Sequence, residues 1–189
     1  MEDYLRIDTR IKVINSIILP FQNQLNNIYK ICKDDNFIYW DSVYADDTEH
    51  IVGTVFIVLQ NYINSSITDL FPDSPKLFDK YSLDKKIINS KTTRVELIIA
   101  LANYYKHRDL PTDLHLPTVK ILDDLNLDFK EYYNISNNKF FHKTGSTSPV
   151  FNGFSLLSED WNFNDLIKIV GEWRESLWLY KKVLQNKKQ

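Results

Sequence analysis

The chain has a single cysteine, almost no charge excess and no long apolar run, and each scarcity excludes something. Cys32 alone can form neither an internal disulfide nor the cysteine cluster of a structural zinc site. Low cysteine use fits a reducing cytoplasm. The formal net charge of −2 does not support a general nucleic-acid coat, which needs a strong basic excess. A local basic site stays compatible with this charge.

No apolar run approaches the roughly 18 residues that a membrane span requires. The longest, from 51 to 59, is interrupted by Gly53 and Thr54. The first residues, Met-Glu-Asp-Tyr-Leu-Arg, lack the hydrophobic core of a secretion signal. We therefore expect a cytoplasmic protein without membrane contact. Heavy use of Asn, Ile, Lys, Asp and Tyr hints at a bacterial source.

What the chain does contain is an ordinary globular composition. Its 189 residues are 43% hydrophobic and 25% charged, which predicts one folded domain over 1–189. Apolar residues recur at steps of three and four, which predicts an all-α fold, a helical bundle of about five helices. The predicted helices cover 3–31, 49–70, 93–107, 117–125 and 162–184.

Several local signals refine these predictions. Pro20 lies inside the first helix and is expected to kink or divide it. Thr93 and Glu96 stand at capping-box spacing and fix the start of the third helix. The segment 130–155, rich in Asn, Ser, Thr and Gly, predicts a long irregular loop before the C-terminal helix, with a short strand at Lys139-Phe-Phe-His142.

The C-terminal helix is rich in aromatic residues. Trp173 and Trp178 are five positions apart, so we expect them to point to different sides, with one partly exposed at an interface. Arg174 is four positions from Trp178 and is a candidate to stack on it.

Polar residues concentrate in the stretch Asn103-Tyr-Tyr-Lys-His-Arg-Asp109, with His115 just beyond. On a helix, Asn103 and His107 share a face, and Lys106 is close to it. Pro111 then turns the chain and can bring Asp113 and His115 back toward Arg108. A purely structural interpretation also exists, since Lys, His and Arg commonly meet the unpaired carbonyls in the last turn of a helix.

The functional interpretation rests on phosphodiester chemistry. An imidazole titrates near neutral pH and can move a proton on or off a ribose 2′-hydroxyl or a leaving oxygen. A guanidinium can hold a phosphate through two hydrogen bonds and offset charge in the transition state. An Arg beside a His is therefore a usable pair for RNA cleavage that requires no metal and no cofactor.

The segment Arg108-Asp-Leu-Pro-Thr-Asp-Leu-His115 resembles the Arg-x(4–6)-His motif of the HEPN superfamily, in which a polar residue follows the Arg. The resemblance implies a helical bundle, a homodimer in which two motifs form one site, and a metal-independent ribonuclease of a toxin–antitoxin or defence system, or an inactive binding module. It implies that Arg108 and His115 are the catalytic pair, with Asp109 as polar companion. His107, adjacent to Arg108, is an alternative partner. Asn103, Tyr105 and Lys106 are the remaining substrate-binding candidates.

Other functions stay open. His107, Asp109, Asp113 and His115 carry metal-binding atoms, but their spacing matches no defined motif. The loop 143–148, Lys-Thr-Gly-Ser-Thr-Ser, is only loosely similar to a phosphate-binding loop and could act as a lid. His50 and His142 are isolated and need no special role. The rival function is a non-catalytic interaction protein, such as an immunity protein or antitoxin, that binds a cognate protein partner.

Overall fold

The computed structural model describes residues 3–34, 43–73, 77–109, 114–132 and 140–187. This part of the chain is mostly helical, as the sequence predicted, but it contains seven α-helices, more than the expected five. They are α1 (Arg10–Asp34), α2 (Val43–Leu70), α3 (Phe78–Tyr81), α4 (Arg94–His107), α5 (Leu116–Asp124), α6 (Pro149–Ser155) and α7 (Phe163–Asn186). Two 3₁₀ turns lie at Asp3–Arg6 and Gly145–Thr147.

The prediction of one irregular loop over 130–155 is wrong. Strand β1 (Lys130–Tyr132) pairs antiparallel with β2 (Phe140–His142), and α6 follows the second 3₁₀ turn. The expected strand is confirmed at Phe140–His142, while Lys139 lies outside the described residues. Helix α6 forms because Ser148 accepts a hydrogen bond from the Val150 amide at 3.2 Å and Pro149 occupies the first turn, where a missing N–H costs nothing.

Helix α1 runs without interruption through Pro20, so of the two expected effects, a kink or a division, the division does not occur. A proline inside a helix costs about 3 kcal/mol. Apolar side chains on both sides of it are buried and offset this cost, each fully buried one contributing roughly 1.5–3 kcal/mol; they are Ile18, Leu25 and Ile28.

Helices α2 and α4 form the centre of the core. Eight of the fourteen residues of α4 are buried, and α2 is buried on most sides. The predicted capping box of α4 is present: the Glu96 amide donates to Thr93 Oγ1 at 3.2 Å and the Thr93 amide donates to Glu96 Oε2 at 2.7 Å. Over Tyr44–Leu70, α2 is long and apolar enough to cross a membrane by length and composition, and 56% of its apolar 18-residue stretch is buried inside the protein.

Helix α7 packs its aromatic face inward. Trp173 and Trp178 are both buried, 0% and 3% exposed, so the expectation of one exposed indole is wrong. The Trp173 Nε1–H donates to the Lys80 carbonyl at 2.8 Å. The cation over Trp178 is Lys182, 4.7 Å from the ring centroid. Arg174 instead donates to the carbonyls of 5 and 6 and so fixes the N-terminal segment.

Candidate functional site

The candidate residues lie at the C-terminal end of α4, where this helix packs on α2. The two helices are antiparallel, and three positions of α2 at helical spacing meet the last turns of α4. Glu49 meets Arg108, Gly53 meets Tyr105, and Gln60 meets Asn103 and Lys106. We call this set of contacts the α2–α4 polar seam.

Arg108 points into the interior. It is 9% exposed and forms an ion pair with Glu49, which is fully buried. The guanidinium carbon also lies 4.7 Å from the centroid of the Tyr105 ring. Burial disfavours the charge, but the hydrogen bond and charge of Glu49, with the charge of Asp109, raise the pKa of Arg108. Arg108 therefore remains a cation and already has a carboxylate partner.

The same carboxylate holds the loop after β2. Glu49 Oε2 accepts the Gly145 amide at 2.6 Å, and the Tyr104 hydroxyl donates to the Lys143 carbonyl. Burial and the charge of Glu49 raise the pKa of Tyr104, so this phenol stays a donor. Because the Gly145 amide is already bonded to a carboxylate, the loop does not present it to a phosphate, contrary to the loose loop resemblance in the sequence.

Tyr105 is fixed on three sides. Its ring packs directly on Gly53, where an added Cβ would lie 2.3 Å from the ring. Its hydroxyl is hydrogen-bonded to His50 Nδ1 at 2.7 Å, and Arg108 covers the ring. His50, which the sequence left without a role, therefore positions Tyr105.

Asn103 and Lys106 share one partner. The Gln60 amide donates to Asn103 Oδ1 at 2.9 Å, and the Lys106 ammonium donates to Gln60 Oε1 at 2.6 Å. Burial lowers the pKa of Lys106. One ammonium hydrogen is used by this bond, and an ammonium has three, so Lys106 has donors left for an anion at the surface.

The turn after α4 brings two imidazoles together. The ring centroids of His107 and His115 are 6.1 Å apart, with the ring planes at 87°. His107 is half-buried on the last turn of α4, and His115 is exposed at the N-cap of α5. The structure thus places His115 against His107, while Arg108 is directed to Glu49 on another side of the helix.

The remaining candidates are outside this pair. Asp109 is exposed, with its Oδ2 3.6 Å from Arg108 Nε, and Asp113 lies outside the described residues. Within the described ranges, no three or more His, Cys, Asp and Glu side chains are grouped to hold a metal ion. A cavity of about 880 Å³ lies between the end of α1 and the segment before α7, where Tyr29 and Trp161 line it. None of the candidate residues is among its described lining.

The sequence did not reveal Glu49, Gly53 or Gln60 as part of the site. One signal was available: α2 is apolar on most sides, yet these three positions share a face that carries a carboxylate, a glycine and an amide. A charged residue in a buried helix must have a partner, and Arg108 is that partner in the fold. Comparison with protein-family models, with curated proteins and with solved structures finds no match.

Proposed function

We propose that this protein is a HEPN-like ribonuclease that cleaves RNA without a metal ion, with His107 and His115 as its acid–base pair. The observation that carries the proposal is the edge-to-face contact of the two rings at the protein surface. Two imidazoles side by side, one neutral and one protonated, are the minimal set for this reaction. The proposal makes His107, in place of Arg108, the partner of His115, whereas the sequence had left open whether His107 or His115 pairs with Arg108.

The reaction uses one ring as base and the other as acid. The neutral imidazole removes the proton of a ribose 2′-hydroxyl, whose oxygen attacks the adjacent phosphorus. The protonated imidazole gives its proton to the departing 5′-oxygen. The products are a 2′,3′-cyclic phosphate and a 5′-hydroxyl end. Lys106, next to His107 in the chain, is the cation we assign to the phosphate oxygens; Asn103, Tyr105 and Asp109 line the same end of α4.

We assign Arg108 a role other than the one that the motif implies. Its buried ion pair with Glu49 supports a role in holding the turn rather than in holding substrate. The proposed setting, by resemblance, is a bacterial defence or toxin–antitoxin system in the cytoplasm, with a homodimeric bundle acting on RNA.

A second function is compatible with the same ion pair. In this second function Arg108 stabilises the fold, as it does in the first, and the chain is a non-catalytic interaction protein that binds a cognate partner. The net charge of −2 agrees with a protein rather than a nucleic-acid partner. In that case His107 and His115 take part in no reaction.

The test is cleavage of labelled single-stranded RNA in the presence of a chelator. We expect His107→Gln and His115→Gln each to lower the rate by a factor of about 10²–10⁴, the usual contribution of one acid or base, with unchanged melting temperature. The double variant, purified identically, measures contaminating nuclease. Wild-type activity no higher than that of the double variant would exclude the ribonuclease and leave the interaction protein.

A further inference from the structure

Glu49 is a buried carboxylate with both oxygens engaged. It is 0% exposed; Oε1 pairs with Arg108 Nη1 and Oε2 accepts the Gly145 amide at 2.6 Å. One side chain thus joins α2, the end of α4 and the loop after β2. A lone buried carboxylate is costly, so this residue stays in place only while its partners do.

The ion pair lies one position along the chain from His107. Successive side chains on a helix point about 100° apart, and Arg108 still has helical backbone angles, φ −58° and ψ −32°. The ion pair therefore ties the residue that follows His107 to α2. His107 then faces the start of α5, where the His115 ring meets it.

We propose that Glu49 is a positioning residue: through Arg108 it holds His107 against His115. The inference rests on the proposed function for its catalytic meaning, while its geometric content concerns this chain whether or not it cleaves RNA. Glu49 itself touches neither imidazole and takes no part in proton transfer.

The chain offers a matched control for the loss of a buried ion pair. Asp84, whose side chain is 3% exposed, pairs with Arg94 at 2.6 Å and accepts the Val95 amide at 3.2 Å. Like Glu49, it joins a guanidinium and a backbone amide. It lies at the opposite, N-terminal end of α4, so Asp84→Asn weakens the fold without reaching the histidines.

The experiment compares Glu49→Gln with Asp84→Asn in two measurements. Nuclear Overhauser cross-peaks between the ring protons of His107 and His115 report the contact directly, and RNA cleavage reports its use. We expect Glu49→Gln to lose the cross-peaks and to lower the rate by about a hundredfold, since a misplacement of about 1 Å has this effect. Asp84→Asn should keep wild-type cross-peaks and rate.

A second variant guards against unfolding. Glu49→Gln/Arg108→Gln replaces the ion pair by two neutral amides and should be more stable than Glu49→Gln. It should not regain the cross-peaks, because a glutamine side chain at position 108 is too short to reach α2 as the guanidinium does. Wild-type cross-peaks in either folded Glu49 variant would overturn the positioning role. Lost cross-peaks in a protein whose wild type cleaves no RNA would instead retain the positioning role and overturn the proposed function.

Discussion

The contact between Gly53 and Tyr105 gives a sharp test of how tightly α2 and α4 pack. In Gly53→Ala the new Cβ would lie 2.3, 2.4 and 2.5 Å from Cδ2, Cγ and Cε2 of the Tyr105 ring. Carbon atoms in contact are normally about 3.5–4.0 Å apart, so the ring or the helix must move by roughly 1 Å or more.

The ring has little freedom to move. Its hydroxyl is tied to His50 at 2.7 Å and Arg108 lies against it, itself held by Glu49. Overpacking of this kind costs about 1–3 kcal/mol, while glycine-to-alanine inside a helix gains roughly 0.5–1 kcal/mol. The net loss is therefore about 0–2.5 kcal/mol. At about 2–4 °C per kcal/mol for a chain of this size, the melting midpoint should fall by up to roughly 10 °C.

Gly171 is the matched control. It lies inside α7, and an added Cβ would meet no atom within 4 Å. Gly171→Ala therefore keeps only the helical gain of roughly 0.5–1 kcal/mol, and its midpoint should rise by about 1–4 °C. Calorimetric or circular-dichroism melting of the two variants decides the matter. A rise of both midpoints would show that the Tyr105 ring moves aside without cost and would refute tight packing of α2 on α4 at Gly53.

Two further predictions concern charged residues. Arg108→Met leaves Glu49 buried without its cation and should cost about 3–5 kcal/mol in urea unfolding, whereas Glu49→Gln/Arg108→Met should recover most of this loss; a double variant no more stable than Arg108→Met would contradict the ion-pair account. Asp124 accepts hydrogen bonds from the Thr92 side chain and from the amides of 91 and 92, which lower its pKa. A carboxyl with a lowered pKa stabilises the fold above its ordinary pKa of about 3.9 and loses this effect as the pH falls through the folded value. Asp124→Asn should therefore be less stable than wild type at pH 6, and the difference should shrink below about pH 4; a constant difference down to pH 3 would refute this.

The helical fold was largely predictable because the local signals were strong. The Thr93–Glu96 capping box and the apolar run after it located α4 at its observed start, and α5 and α7 fell within two residues of their expected bounds. The prediction failed for α6, where a short helix-start signal lies in a segment whose composition is typical of a loop. Ser148-Pro149 is a helix start, but the surrounding Asn, Ser and Gly concealed α6.

The site was predictable only in part, because its polar residues come from distant segments. The concentration of polar residues identified the stretch 103–109, and the turn at Pro111 predicted that His115 lies close to it. The ion pair did not follow, since Glu49 lies in α2 and Arg108 at the end of α4, and no local pattern predicts which buried carboxylate meets which cation. That Arg108 points into the interior depends on the tertiary packing of α2 on α4, which a local sequence pattern does not reveal.

This arrangement changes how loss of activity at Arg108 must be interpreted. A substitution there removes the cation beside a buried carboxylate and the group that covers the Tyr105 ring. Under the proposed function, RNA cleavage would then fall even if Arg108 never contacts a phosphate. His115 is exposed, and its substitution leaves the polar seam intact, so a rate loss there without a fall in melting temperature reports chemistry. A rate loss at His115 is therefore a more direct sign of catalysis than a rate loss at Arg108. Only a variant set that pairs each rate with a stability can separate a catalytic arginine from one that supports the fold.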